Sequence, residues 1–200
     1  MSHHRLALGG AALALILIAA VQAAPAQAAA SGTFTATGSM STDRVGATAT
    51  LLANGTVLVI GQENLSPQAS TNFETYAERY NPATGTWSDA SNGLGTCNPQ
   101  YWCRYESRAV LLSSGNALVE GGLSGSISAY SSGSIASAVL YDPATNSWTS
   151  SGAMTNPRSN QTATVLPDGQ VLVAGGINYH HPGHGTGTEG PLASAELYTP

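Results

Sequence analysis

The chain has 200 residues, the size of one ordinary domain or of a piece of a larger repeat fold. Charged residues make up 8%, against about 25% in an average domain. Six basic residues against eleven acidic ones give a net charge of −5 and argue against a nucleic acid partner, because phosphate binding requires clustered positive charge. The 23 glycines and the 42% hydrophobic share favour a folded, turn-rich β protein over a disordered chain or a multi-span membrane protein.

The first 28 residues have the layout of a secretory signal peptide. Arg5 is followed by sixteen residues, 6–21, without a charged or polar side chain, and small-x-small sites end at Ala23 and Ala28. This run is short for a membrane span, which needs about 20 residues, although an uncleaved anchor is the alternative. We expect cleavage between Ala23 and Ala28. The mature chain, 29–200, is then secreted, periplasmic or at the cell surface, without an integral membrane domain.

The rest of the chain is organised by an internal repeat in three copies. In each copy an arginine precedes a turn glycine by eleven positions and a further glycine by seventeen, and a Tyr-x-Pro follows. A tryptophan comes seven residues after the first two of these tyrosines. The arginines are Arg44, Arg104 and Arg158, the turn glycines Gly55, Gly115 and Gly169, the later glycines Gly61, Gly121 and Gly175, the tyrosines Tyr80, Tyr141 and Tyr198, and the tryptophans Trp87 and Trp148.

Each copy predicts four antiparallel strands. Apolar runs rich in β-branched residues surround Asn-Gly or Asp-Gly, as in 47–61 and 161–175, and such dipeptides close tight hairpins. A second hairpin turns at the proline after Tyr80 and after Tyr141. One such sheet cannot bury both of its faces, but radially stacked sheets cover each other, which predicts a β-propeller. The blades then span about 38–90, 91–151 and 152–200.

These landmarks resemble the kelch repeat, in the variant found in bacterial secreted kelch proteins and in the propeller of galactose oxidase-like proteins. The resemblance covers about residues 34–200, and it implies an all-β propeller of four-stranded antiparallel blades, with three repeats present as a partial or unusually small ring. Two departures stand out. The later glycine is doubled in the second and third repeats, as Gly121-Gly122 and Gly175-Gly176, but Gln62 replaces the second glycine in the first repeat. The third repeat stops before its tryptophan.

The start of the mature chain predicts an outer strand for another blade. Phe34 precedes Met40 by six positions, as Trp148 precedes Met154. We therefore expect residues 33–36 to form the outer strand of a blade whose other strands come from the C-terminal end. Because propellers have about four to eight blades, three explanations stay open: a piece of a longer protein, assembly of several chains, or a three-bladed ring. Uncovered apolar blade faces favour self-association.

Binding residues are expected on the face that carries the long loops. Arg44, Arg104 and Arg158 predict either a positive rim that attracts acidic groups such as uronic acids, or structural arginines that hold loop carbonyls. Tyr101, Trp102 and Tyr105 either stack on sugar rings or pack against the next blade. Beside these aromatic residues, Cys97 and Cys103 predict a local disulfide in an oxidising compartment, since no Cys-x-x-Cys or nearby histidine completes a metal site.

Three histidines and one glutamate each allow a functional and a structural interpretation. His180, His181 and His184 form a weak candidate metal site, and the alternative is a solvated loop, so we expect no cofactor. Glu120 interrupts an apolar strand and faces either a channel or a neighbouring arginine.

The sequence favours a non-catalytic exported module that recognises a glycan or a protein. The alternative is a piece of a galactose oxidase-like copper radical oxidase. The resemblance places a Tyr-His ligand pair two and three residues after one repeat arginine, where this chain has 46–47 (Gly-Ala), 106–107 (Glu-Ser) and 160–161 (Asn-Gln). The copper ligands would then lie outside this chain. A third hypothesis is a propeller glycosidase or sugar epimerase, which needs paired carboxylates at the axis, with Glu106 and Glu120 as the candidates.

Overall fold

A computed structural model describes residues 32–63, 75–90, 104–124, 133–180 and 190–200. The chain divides into two units, residues 1–35 and 36–200. The predicted signal peptide lies outside the described residues. In the first unit residues 32–35 are described, and Phe34 is fully exposed there. Every regular element of the described residues is a β-strand of the second unit, so the predicted all-β class is confirmed.

The first repeat forms a four-stranded antiparallel sheet with its strands in sequence order. Its β1–β2 hairpin turns at Gly55, whose φ of 80° lies in the left-handed region that the Asn-Gly turn requires. A β-bulge between Val45 and Thr48 bends β1 near its start. The strands are β1 (Arg44–Leu51), β2 (Val57–Glu63), β3 (Thr75–Asn81) and β4 (Thr86–Asp89).

The second repeat forms another four-stranded antiparallel sheet, in the order β10-β9-β6-β5. Two short strands, β7 and β8, pair with each other as a separate ribbon beyond this sheet. The strands are β5 (Arg108–Leu111), β6 (Ala117–Glu120), β7 (Leu123–Ser124), β8 (Gly133–Ser134), β9 (Ser137–Asp142) and β10 (Ser147–Ala153).

The third repeat forms a three-stranded sheet in the described residues, in the order β11-β12-β15, with a second short ribbon, β13–β14. The strands are β11 (Thr162–Val165), β12 (Val171–Ala174), β13 (Ile177–Asn178), β14 (Gly190–Pro191) and β15 (Ala195–Tyr198). The predicted four-strand repeat is therefore observed in the first two copies, and the described strands do not close into a ring.

Apolar side chains join the sheets in sequence order. Between the first and second sheets, Trp148 donates an indole N–H to the carbonyl of Ala90 at 2.7 Å, and its ring centroid lies 4.8 Å from that of Tyr141. The core around this pair comprises Leu52, Leu58, Ile60, Ala77, Ala90, Ala117 and Val119. A second core, of Leu112, Leu118, Ala138, Val171 and Val173, joins the second and third sheets.

The expected outer strand at 33–36 is not observed. A strand is defined by a ladder of backbone hydrogen bonds, and residues 32–40 carry no strand. The following residues instead bind the first sheet through side chains. The hydroxyls of Thr37 and Tyr80 share a hydrogen bond of 2.6 Å, and the Trp87 indole donates to the Gly38 carbonyl at 2.7 Å.

Candidate functional site

The repeated arginines are buried inside their own sheets. The Arg158 guanidinium is fully buried and donates to the carbonyls of Gly175 at 2.9 Å and Ser194 at 3.0 Å, and to the carboxylate of Glu196 at 2.8 Å. These contacts join the end of the second strand to the segment before the last one. Because they satisfy buried carbonyls, they stabilise the sheet from within.

The guanidinium groups of Arg104 and Arg44 are also buried, and each binds partners within its own repeat. Arg104 donates to the carbonyls of Gly121 at 2.6 Å and Ser137 at 2.9 Å, and its burial lowers its pKa to about 10. The buried Arg44 guanidinium forms an ion pair with Glu78. The contacts of all three guanidiniums give them a structural role rather than a place on an exposed rim.

Two residues after each arginine the backbone turns left-handed. The φ values are 56° at Gly46, 55° at Glu106 and 54° at Asn160. We call these three residues the inner row. The Glu106 N–H donates to the Gly46 carbonyl at 2.9 Å, and the Asn160 N–H to the Glu106 carbonyl at 3.0 Å. The inner row therefore links the three sheets at the start of their first strands.

The inner row also presents polar side chains. The Asn160 amide donates to the Glu106 carboxylate at 2.7 Å, close to solvent. A glutamate with positive φ is uncommon, so the surrounding structure holds Glu106 in this conformation. Sequence reasoning examined these positions for copper ligands but missed their shared backbone conformation. Glycine and asparagine at two of the three positions were the available signal.

The two short ribbons form a connected layer beside the inner row. The Ser134 N–H donates to the Tyr179 carbonyl at 2.7 Å, and the Ser134 hydroxyl accepts from the Tyr179 N–H at 2.9 Å. Tyr105 pairs with Leu123 through two backbone hydrogen bonds of 3.1 and 2.7 Å. The loops that follow the second strand in the second and third repeats are thereby held together.

Five residues at this layer carry aromatic or polar side chains, and we call them the loop-face cluster. Burial, followed by the negative charge of Glu106, raises the pKa of the Tyr105 phenol, which keeps it a hydrogen-bond donor at neutral pH. Tyr179 is 38% exposed and carries a second phenol. The members are Tyr105, Glu106, Asn160, Tyr179 and His180.

The predicted aromatic and metal residues fall partly within the described chain. Tyr105 and His180 belong to the loop-face cluster, and His180 forms a β-bridge with Gly133. Among the described residues, no three histidine, cysteine or acidic side chains lie close enough to hold a metal ion. Outside the described residues lie Tyr101, Trp102, Cys97, Cys103, His181 and His184, so the disulfide and the histidine site stay predictions.

Glu120 lies in the interior rather than at an open channel. It is 2% exposed, and its carboxylate and its carbonyl accept hydrogen bonds of 2.5 and 2.9 Å from the amide of Gln161. Burial raises its pKa to about 7, against the opposing effects of Gln161 and of Arg104. Its contact with Gln161 and the nearby charge of Arg104 favour the second alternative, a side chain that faces buried polar neighbours. A carboxyl group so buried cannot meet a sugar, which weakens the glycosidase hypothesis.

Within the described residues no helix is long and apolar enough to cross a membrane. A scan of the chain against protein-family models gives no match, and a search of curated proteins finds no similar sequence.

Proposed function

We propose that the chain is a kelch-type propeller segment. An arginine with a left-handed residue two positions later recurs in all three repeats, and a Tyr-Trp pair recurs in the first two sheets. The cores join each sheet to the next. The inner row passes from sheet to sheet at the start of the first strands, as expected of strands that surround a common axis. Repetition of one packing unit in sequence order is the main support for this arrangement.

The function that we propose is glycan recognition, without catalysis, by an exported protein. The observation that carries it is the hydrogen-bonded junction of Ser134 and Tyr179, which brings two loops beside the inner row. Phenol rings offer flat faces for sugar rings, and the Glu106 carboxylate and Asn160 amide offer partners for sugar hydroxyls. Binding groups on loops above a rigid β scaffold are a common arrangement for recognition.

The test is binding of the full chain to an array of plant and bacterial polysaccharides, followed by titration with the best oligosaccharide. Replacing Tyr179 by alanine is expected to weaken affinity about tenfold or more, because it removes an exposed aromatic contact. The Thr149→Ala variant is the control, since Thr149 is an exposed residue of β10, outside the loop-face cluster. Absence of any glycan ligand, or equal binding by the Tyr179→Ala variant, would contradict the proposal.

The copper oxidase alternative has a separate test. The residues that follow the inner row are Ala47, Ser107 and Gln161, none of which has the phenol or imidazole that the resemblance requires. The alternative consequently needs ligands outside this chain. Titration of the chain with copper(II) is expected to produce no tyrosine-to-copper charge-transfer band, and such a band would revive the oxidase hypothesis.

A further inference from the structure

The arginine side chains of this chain bind partners inside the protein. Lysine is absent from the sequence, and six arginines are its only strongly basic residues. The five arginines beyond residue 5 each donate a hydrogen bond, from Arg44 to Glu78, from Arg79 to Pro143, from Arg104 to Gly121, from Arg108 to Ser107 and from Arg158 to Glu196. These contacts use the guanidiniums inside the fold, which leaves the uronic acid expectation without its basic groups.

The loop sequences that follow the second strands carry negative formal charge. Segments 64–74, 121–136 and 175–194 connect the second strand of each sheet to the third strand of the same sheet. Their sequence contains Glu74 and Glu189 but no arginine or lysine, so with histidine neutral every formal charge in them is negative. Because a surface of one sign attracts ligands of the other, the charge of these segments favours a cationic ligand over an anionic one.

Glu106 is the acidic member of the loop-face cluster, and an aromatic ring lies beside it. A Cβ added at Gly46 would lie 3.1 Å from Cγ of Glu106 and 3.3 Å from Cδ2 of Tyr105, so the carboxylate side chain and the ring border the same glycine. After burial, the charge of Glu106 and the phenol of Tyr179 are the next causes that raise the pKa of Tyr105. Tyr105 therefore lies within electrostatic range of both the carboxylate and the second phenol.

The Glu106 carboxylate is held in place with one oxygen free. Its Oε2 accepts a hydrogen bond of 2.7 Å from the Asn160 amide. Among the described residues no hydrogen bond reaches its other oxygen, Oε1, and the salt bridges there use Glu78 and Glu196 instead. A fixed carboxylate beside an aromatic ring suits a protonated amine, because the free oxygen accepts a charge-assisted hydrogen bond and the ring face attracts the same cation.

We propose that the loop-face cluster selects glycans with free amino groups, such as polymers of glucosamine, over neutral and uronic acid glycans. The inference rests on the glycan binding proposed above and names its ligand class. The ammonium group of the sugar donates to the free oxygen of Glu106, and the sugar ring lies against a phenol. An N-acetylated sugar lacks this charge, and a uronate brings a second negative charge to Glu106, which is unfavourable at short range.

The experiment titrates the full chain calorimetrically at pH 7, where an ordinary amino group is mostly protonated. The three ligands are oligosaccharides of equal length, made of glucosamine, of N-acetylglucosamine or of galacturonate. The first two differ by acetylation, which removes the charge of the amine. We expect the glucosamine oligomer to bind about tenfold more tightly than its acetylated form, and the galacturonate oligomer to bind most weakly. Added salt should reduce the preference, because it screens exposed charges.

Two substitutions of one residue test the role of the carboxylate. Glu106→Gln and Glu106→Asn both remove the charge, and each should abolish the preference for the free amine. Asparagine is the residue of the third repeat at this position, Asn160, and it suits a φ of 55° better than glutamate does. Loss of the preference in Glu106→Asn therefore cannot result from backbone strain. The Thr149→Ala variant is again the control and should keep the wild-type preference, since Thr149 lies outside the loop-face cluster.

The outcomes separate this inference from the proposed function. Equal binding of the free and acetylated oligomers, or a preference that survives both Glu106 variants, overturns the inference and leaves glycan recognition in place. Tighter binding of galacturonate does the same. Binding of an oligolysine peptide without binding of any oligosaccharide contradicts both, and it indicates a protein partner for the same carboxylate.

Discussion

Buried polar residues hold each repeat together at the level of single side chains. Burial acts to raise the pKa of Glu196, but hydrogen bonds from the N–H groups of Thr155 and Asn156 and from Arg158 outweigh it, so that pKa is lowered. Glu78 accepts from the Ser41 N–H and pairs with Arg44 in the same way. In the first and third repeats a glutamate carboxylate therefore binds both the repeat arginine and backbone N–H groups of the residues that precede this arginine.

Glu120 is the exception, because burial dominates and raises its pKa from 4.5 to about 7. The folded protein holds a proton that the unfolded chain releases near pH 4.5, so the free energy of unfolding should fall as pH rises from about 4.5 to about 7. Glu120→Gln removes this dependence and should stabilise the protein at pH 8 by on the order of 2 kcal/mol. Urea unfolding at pH 5 and pH 8 measures it.

The control for this prediction is Thr149→Ala, at an exposed residue of β10 that carries no titratable group. It should retain the wild-type slope of unfolding free energy against pH. If Glu120→Gln keeps that slope as well, the buried carboxyl is not the group that titrates.

At the level of elements, the glycine doublets that follow β6 and β12 let the segment before the first strand of the same repeat approach closely. A Cβ on Gly176, where φ is 85°, would lie 2.6 Å from the Ser159 carbonyl oxygen, and one on Gly122 would lie 2.7 Å from that of Tyr105. Both contacts are with backbone atoms, which cannot turn aside as a flexible side chain can. The second glycine of each doublet is therefore required by packing as well as by its positive φ.

The Gly176→Ala substitution should consequently cost more than backbone strain alone. We expect a loss of about 3 kcal/mol in the free energy of unfolding, from strain at positive φ and displacement of the Ser159 backbone. Gly152→Ala is the matched control, because Gly152 has a φ of 65° with no atom within 4 Å of its added Cβ, and should cost about 1 kcal/mol. Equal losses in denaturant titrations would show that the close approach has no energetic weight.

At the level of the whole molecule, an aromatic pair on the second sheet packs against the first sheet. Tyr80 and Trp87 have ring centroids 5.0 Å apart, and Tyr141 and Trp148 lie 4.8 Å apart. Only the second pair lies between two complete sheets in the described chain, and Trp148 is 8% exposed there. The second pair should therefore dominate the coupling of the first two sheets.

The Trp148→Phe substitution tests this coupling. It leaves the buried Ala90 carbonyl without its donor and opens a cavity, so we expect a loss of about 3 kcal/mol in the free energy of unfolding. Trp87→Phe makes the same chemical change where the indole bond to Gly38 is exposed, and should cost about 1 kcal/mol. A smaller loss for Trp148→Phe than for Trp87→Phe would refute this account of how the sheets are joined.

Sequence reasoning identifies two members of the loop-face cluster. Tyr105 and His180 are candidates because aromatic and imidazole groups in long loops stand out along the chain. Tyr179 and Asn160 were not assigned to a ligand site, since their importance depends on hydrogen bonds to Ser134 and to Glu106, 45 and 54 positions away. The arginines were named, but burial and carbonyl partners gave them structural roles that sequence reasoning had left open.

By itself the amino-acid sequence determined the antiparallel hairpins, their turns and the repetition of the sheet, because turn glycines, β-branched runs and Tyr-x-Pro act on neighbouring residues. Tertiary structure alone decided how the sheets meet, where each arginine donates and why the pKa of Glu120 is raised. It also left residues 33–36 without a strand, against expectation. These features depend on burial and on contacts between distant segments, such as the 58 positions that separate Trp148 from Ala90, and local residue preferences do not encode them.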